Sequence, residues 1–327
     1  MRRFLAAILA FTIILAALGA GVLLWADNEF KRPGPALEDH VVVLPRGAGL
    51  DDIARRLARA RVIESPLLFR IGVRLSGAAR GLQAGEFLFT AGLSSEAVMN
   101  HLLTGRPVTR RLTVPEGMTS RRVIGLINDA TGLEGFIPAL PDEGALLPET
   151  YHYGYGDYRA EMVRRMADAM TETLMALWYS RQVGLPYETP KDALILASIV
   201  ERETALAAER RHVAGVFVNR LKRGMRLQSD PTVIYGLTGG EAAFERRLSR
   251  ADLKHDSPYN TYLVTGLPPG PIANPGRDSI AAVLDPLVTR DLYFVADGAG
   301  GHVFARTLDE HNRNVAKWRK LQTAPGD

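Results

Sequence analysis

The chain has 327 residues, 46% hydrophobic and 23% charged, which is enough for two folded domains and excludes a disordered polymer. Lys plus Arg exceed Asp plus Glu by 40 to 36, and the Arg pairs are scattered rather than gathered between aromatics, so nucleic acid is not an expected partner. There are no cysteines, which excludes disulfides, thiolate metal sites, a cysteine nucleophile and an acylated N-terminal cysteine anchor.

Met1, Arg2 and Arg3 precede Phe4 to Ala26, 23 residues without a charge. About 20 apolar residues cross a bilayer, whereas a signal-peptide core runs about 7–15, so residues 4–26 read as a transmembrane helix. Trp25 sits where an interfacial aromatic belongs, and Asp27 and Glu29 follow it. With basic residues before the span and acidic ones after it, residues 1–3 are expected to be a cytoplasmic stub and the rest to lie outside the cytoplasm. A cleaved signal peptide ending near Ala20 or Ala26 is the alternative.

Residues 27–39 are polar, contain Pro and Gly, and read as a tether. From residue 40 a β-rich run (HVVVL), a Pro-x-Gly turn and an amphipathic segment predict a strand and a helix with Ile53 and Leu57 inward. Ser65-Pro66 opens a second helix to about Leu75, and Gly85 to Phe89 reads as the returning strand, giving β-α-α-β. A helix from Ser94 to Thr104 ends at Gly105 and Pro107. The pattern Val43-Leu-Pro-Arg-Gly47 recurs as Thr113-Val-Pro-Glu-Gly117. Helix anchors follow at matching offsets, Ile53, Leu57 and Ala60 against Val123, Ile127 and Ala130.

Residues 131–158 are rich in Gly, Pro and Tyr and read as loop. A long helix is expected from about Ala160 to Arg181, with Met162, Met166, Met170, Leu174 and Leu177 as a core stripe. The next helix, residues 191–204, is nearly all apolar until it places two glutamates, Glu201 and Glu203, close together. Residues two apart point to nearly opposite sides of a helix. Glu203 continues the Ile195/Leu196, Ile199/Val200 stripe, and Glu201 continues the smaller row Leu194, Ala197, Ser198. Apolar surroundings favour a neutral carboxyl and suit Glu203 to general acid chemistry at neutral pH. A salt-bridged helix end made with Arg202, Arg210 or Arg211 is the other reading.

A helix from Glu209 to Leu221 follows, then a polar loop, Arg226 to Tyr235. Asn219, Gln228, Asp230, Tyr235, Asn260 and Tyr262, in and around this loop, are polar and aromatic types suited to lining a cleft. Asp230 before Pro231 also fits a turn or an N-cap, and Asn219 a helix cap. Residues 256–276 contain too many Pro and Gly for one regular element, and GLPPGPIANPG is expected to form a rigid cleft wall. Ser279 to Leu284 reads as a short helix, and residues 292–296 and 302–305 as a hairpin. A last helix runs from Leu308 to about Leu321. His255, His302 and His311 match no metal-ligand spacing, and His302 reads as structural.

The anchor, the V-x-x-P-x-G module, PETY at 148–151, ASIVERET at 197–204, VFVNRL at 216–221 and GMRLQSDPTVIYG at 224–236 occur in order. They are followed by YNTY at 259–262, GLPPGPIANPG at 266–276, YFVADGAGGHVFART at 293–307 and EHN at 310–312. Together they resemble the endolytic lytic murein transglycosylases of the membrane-bound G type, the YceG-like family, over essentially the whole chain. The resemblance implies an α+β fold: an N-terminal transmembrane helix, a small LysM-like α/β module (residues 40–107) and a mixed helical and β catalytic domain (108–327). It implies cleavage of MurNAc-β-1,4-GlcNAc bonds without water, the muramic acid 6-hydroxyl attacking to leave a 1,6-anhydro end.

In that family the catalytic glutamate directly precedes Thr or Ser, which maps onto Glu203-Thr204, and Glu201 is then a supporting residue at the site or a helix-end ion-pair partner. With a glycan as the implied substrate, Asn219, Gln228, Asp230, Tyr235, Asn260 and Tyr262 are the types that hold sugar hydroxyls, N-acetyl groups and ring faces. No cofactor or metal is implied. The implied partners are peptidoglycan glycan strands, peptidoglycan synthases (by resemblance alone) and the lipid bilayer through residues 4–26. The implied location is the bacterial inner membrane, with the catalytic domain in the periplasm. Two other classes stay open: a water-using muramidase, with Asp230 or Glu201 as a second carboxylate about 5–9.5 Å away, and a non-catalytic wall-binding protein.

Overall fold

The computed structural model describes residues 2–241 and 244–323. Met1 and the side chains of Arg2 and Arg3, on which the expected orientation rests, lie outside the described residues. The chain divides into two compact units, one made of residues 1–110 with the short pieces 131–133 and 152–157, the other of the remainder.

In the smaller unit α1 (Arg2–Lys31) is long and apolar enough to cross a membrane over Ile8–Lys31, with a mean hydropathy of 2.5. The helix does not stop at Ala26, so the first part of the expected tether is helical. The reason is Phe30, only 8% exposed, which turns into the unit's core. Its ring lies 6.4 Å from that of Phe69 and occupies the space a side chain at Gly72 would need, 2.5 Å from a Cβ there.

Strand β1 (His40–Leu44), α2 (Leu50–Arg59), α3 (Pro66–Leu75), β2 (Gly85–Phe89) and α4 (Ser95–Thr104) follow. β1 and β2 pair antiparallel with Val42 opposite Phe87, completing the expected β-α-α-β order. Ile53, Leu57, Phe69, Val73, Phe87 and Leu102 form the core beneath the strands. Ser65 and Ser94 cap α3 and α4 with their hydroxyls, accepting from Leu68 N–H and Ala97 N–H.

The larger unit takes in most of β3 (Arg110–Thr113) and holds α5 (Ser120–Asp129). Gly117 has φ +75 and Gly47 φ +79, so both copies of the Pro-x-Gly turn rest on a left-handed glycine that most residues occupy only at a cost. Val123 and Ile127 are buried as Ile53 and Leu57 are, while Ala60 and Ala130 sit at the C-caps. Residues 131–158, read as loop, contain the short strand β4 (Thr150–Tyr153). The Val114 N–H donates to Glu149 O at 3.0 Å, and the hydroxyls of Thr113 and Thr150 meet at 3.0 Å.

Helices α6 (Arg159–Tyr179), α7 (Pro190–Glu203), α8 (Ala207–Lys222), α9 (Asp230–Thr238) and α10 (Arg277–Leu284) build the main core. They are followed by β5 (Tyr293–Ala296), β6 (His302–Ala305) and α11 (Leu308–Thr323). α7 starts sharply because Thr189 and Asp192 form a reciprocal capping box with Pro190 in the first turn. Leu196, Ala197, Ile199 and Val200 are fully enclosed in one cluster with Met170 and Trp178 of α6, Val213 and Phe217 of α8, and Ile280 and Val283 of α10. The methionine stripe is core, and β5 and β6 form the expected hairpin.

Two further expectations are corrected. The segment after Ser229 is helical: a polar run reads as loop, but Pro231 in a first turn is compatible with helix and Asp230 opens α9. The Pro/Gly segment 266–276 is interior scaffold rather than a wall of the main cleft described below. Asn274 is fully buried, accepts from Leu146 N–H at 2.9 Å and donates through Nδ2 to Met118 O at 3.0 Å. Ile272 N–H donates to the buried Ser198 hydroxyl at 3.0 Å.

Candidate active site

Glu203 is the last residue of α7, which stops because Thr204 turns extended (φ −138, ψ 131). The end of α7, the start of α9, strand β5, His302 and one face of α11 enclose an open cleft of about 550 Å³. Glu203, Arg220, Gln228, Asp230, Tyr262 and Tyr293 line one part of it, and His302, His311, Asn312 and Trp318 another.

The Glu203 carboxyl is held by one short contact: the Ser229 hydroxyl donates to its Oε1. Ser229 is itself fixed from within, its N–H donating to Thr261 Oγ1 at 3.0 Å, and the Thr261 and Thr232 hydroxyls meeting at 2.8 Å. Removal from water pushes the Glu203 carboxyl up to about 7; the negative charge of Asp230 adds to this, while the Ser229 hydrogen bond, His302 and Arg220 oppose it. A carboxyl with that poise is protonated for a large fraction of molecules at neutral pH and can both give and take a proton.

Asp230 accepts from the Tyr262 hydroxyl at 2.6 Å, so this carboxylate is positioned by an aromatic side chain of the same cleft. Burial, then the contact with Asp230, drives the Tyr262 phenol well above its usual range. Gln228 adopts φ +52, a conformation rare for a residue with a side chain and a mark of local strain at a site. Its N–H donates to Thr261 O at 3.1 Å. Arg220 is buried and donates to Leu292 O at 2.6 Å and Leu227 O at 2.7 Å, tying α8 to the cleft floor.

His302 is bound rather than idle: its Nδ1 lies 2.7 Å from Glu209 Oε2 and its N–H donates to Glu209 Oε1 at 2.9 Å. Burial alone would raise the Glu209 carboxyl, but the hydrogen bonds from His302 outweigh it and hold it low. On α11, His311 stacks on Tyr293 with ring centroids 5.2 Å apart, and burial followed by the nearby Arg220 charge lowers its basicity.

Of the residues singled out in the sequence, Glu203, Gln228, Asp230 and Tyr262 come together in this cleft. The other four do not line it. Glu201, 5% exposed at its side chain, accepts from Gly276 N–H at 2.8 Å and faces Arg210 at 3.7 Å. Arg210 also reaches Glu116 at 2.9 Å and Asp278 at 3.1 Å, so Glu201 belongs to a charge cluster that clamps α7, α8 and α10. Asn219 donates to the carbonyls of Thr289 and Asp291 at 2.9 and 3.0 Å. Asn260, fully buried, donates to Leu253 O and His255 O at 3.2 and 2.8 Å. Tyr235 borders a separate hollow of about 210 Å³ with Arg122, Arg202 and Phe244.

The sequence reading did not single out Ser229, Arg220, Tyr293, Asn312 or Trp318, and it set aside His302 and His311, which also line the cleft. The EHN segment was visible as a motif, but nothing local tied it to a carboxyl some hundred residues earlier. Among the described residues no group of three or more His, Asp or Glu side chains is placed to hold a metal ion.

The model of the YceG-like family matches residues 42–317. An endolytic murein transglycosylase of Bacillus subtilis (strain 168) is 33% identical over 306 residues, spanning 84% of this chain and 83% of that protein. An endolytic murein transglycosylase of Streptococcus pneumoniae (strain ATCC BAA-255 / R6) is 28% identical, spanning 95% of this chain and 64% of that protein. Among solved structures, a YceG-like protein of Listeria monocytogenes superimposes with a TM-score of 0.53 at 27% identity, covering 84% of this chain and 98% of that one.

Proposed function

Since this chain belongs to the YceG-like family, we propose that it is an endolytic lytic transglycosylase of murein whose acid and base are one group, Glu203. The observation that carries the proposal is the placing of that carboxyl at the end of an apolar helix, in a cleft wall, with burial pushing it up to about 7. The neutral carboxyl protonates the glycosidic oxygen as the bond from muramic acid C1 breaks. The 6-hydroxyl of the same muramic acid then closes on C1 and gives its proton to the Glu203 carboxylate. No water is consumed, a 1,6-anhydro end forms, and Glu203 returns to its starting state. The Ser229 hydroxyl holds the reacting carboxyl in place throughout.

The remaining cleft residues suit a glycan. Tyr262, Tyr293 and Trp318 offer apolar faces for sugar rings, and Gln228, Asp230 and Asn312 offer hydrogen bonds to hydroxyls and N-acetyl groups. Glu201, Asn219 and Asn260 support the site from behind rather than touch substrate, and Tyr235 stands in the neighbouring hollow. α1 anchors the chain in the inner membrane with the larger unit in the periplasm, where it trims or ends nascent strands beside the synthases. The β-α-α-β unit acts as the LysM-like module, within a small domain of residues 40–107 ahead of a catalytic domain of 108–327.

The test is mass spectrometry of products from uncrosslinked glycan strands treated with the full chain in detergent, beside Glu203→Gln and Glu201→Gln. Anhydro products one water lighter than hydrolysis products, lost with Glu203→Gln and kept with Glu201→Gln, are expected. Asp230 in the same cleft is the one feature that favours a hydrolase, and reducing ends would move the assignment there. No cleavage by the wild type would leave a wall-binding protein.

A further inference from the structure

The smaller unit carries an apolar stripe that its own core does not use. Leu67, Ile71 and Leu75 recur every fourth residue along α3 and are 58%, 40% and 73% exposed. This spacing places them on one face of a helix whose other face, Phe69 and Val73, is fully buried. A soluble domain does not normally leave a helix apolar on both faces.

The position of the stripe identifies what covers it. α3 runs down beside the last turns of α1. Ser65 and Leu68, at its start, share a hollow with Trp25, Glu29 and Arg32, while Ile71 and Leu75, at its end, share a groove with Leu23, Ala26 and Phe30 that Asp27 and Glu96 border on its polar side. Leu23 lies within the uncharged segment, about 4–5 Å below its last residue Ala26 at the rise of a helix. The end of α3 therefore stands at the level where the apolar segment of α1 gives way to polar residues. Trp25, the residue before Ala26, is an interfacial residue type, and its side chain reaches the hollow at the start of α3. Arg74, exposed beside Leu75 in the last turn, is a side chain that can lay its stem on apolar surface and its charge among lipid headgroups.

We propose that α3 is a membrane-seated helix: Ile71 and Leu75 dip into the outer-facing leaflet of the bilayer that holds α1, with Leu67 nearer the headgroups. The inference rests on the reading of α1 as a span and adds a second contact to it. One anchor leaves a domain free to swivel. A second contact a few ångströms away, held rigidly to the first through Phe30, Phe69 and Gly72, fixes the smaller unit's orientation on the membrane surface.

The absence of cysteine makes the test clean, because a single introduced cysteine takes the only label. The full chain is reconstituted in phosphatidylglycerol/phosphatidylcholine vesicles with one bimane-labelled cysteine at a time: Leu23→Cys, Ile71→Cys, Leu75→Cys or Arg46→Cys. Nitroxide-bearing lipids then report contact by quenching. Strong quenching at 23, at least twofold quenching at 71 and 75, and none at 46, in the turn after β1, is the expected result. Quenching at 23 with none at 71 and 75 would overturn the seating of α3 and spare the span. No quenching at any of the four would remove both.

Discussion

Replacing Glu203 by Gln should make the protein more stable, and only at higher pH. The folded carboxyl keeps its proton up to about pH 7, whereas the unfolded one releases it near 4.5. Between those values the folded state binds more protons than the unfolded, so this group lowers stability progressively as pH rises from 4.5 to 7 and by a constant amount above. At about 1.4 kcal/mol per tenfold in the proton equilibrium, the full gap is about 3 kcal/mol. Glu203 retains some contact with the open cleft, and solvent screening trims the expected cost to about 2 kcal/mol. Gln has nearly the same shape, can still accept from Ser229 and does not ionise. Calorimetric melts of the full chain in detergent should show wild type and Glu203→Gln equal near pH 4.5, and the variant melting roughly 4–8 °C higher at pH 8. Because other carboxylates titrate equally in both proteins, the difference isolates this group. A gap that does not change with pH would refute the idea that burial raises the Glu203 carboxyl.

Activity should mirror that poise, with kcat/KM falling as pH rises through about 7, where Glu203 loses its proton. Ser229→Ala removes a donor that favours the ionised form, so the falling limb should move up by about one pH unit while the maximal rate drops about tenfold, read from pH–rate profiles. Glu201→Gln should cost about 1–3 kcal/mol in a thermal melt by loosening the Arg210 cluster yet leave kcat within a few-fold; a loss of kcat as deep as that of Glu203→Gln would place Glu201 in the chemistry. Trp318→Ala should raise KM for glycan strands about tenfold, some 1.4 kcal/mol of ring stacking, with kcat little changed. An unaltered KM would remove α11 from the binding surface.

Glu203 was legible before any coordinates because local periodicity carries that information: a carboxyl in register with Ile195, Ile199 and Val200 must approach the same interior they do. The two left-handed glycines, Gly47 and Gly117, announced themselves through a Pro-x-Gly spacing whose cause is also local. The caps of α3 and α4 follow from neighbouring residues in the same way.

Amino-acid order thus determined most of the elements, the apolar N-terminal helix and the register of Glu203 with the apolar stripe of its helix. Tertiary structure decided which polar side chains face the cleft. Asn219, Gln228 and Asn260 are equally polar on paper, but Asn219 and Asn260 are consumed by backbone carbonyls that would otherwise be buried unpaired, while Gln228 is turned into the cleft by a left-handed backbone. Glu201 is drawn to Arg210 and Gly276 N–H, contacts made by elements far along the chain. Tyr293, His311 and Trp318 join Glu203 only because β5 and α11 fold back beside α8 and the end of α7. Side-chain direction follows from the residue's own helix or strand, but its partner follows from packing between elements distant in sequence, and no local pattern encodes that.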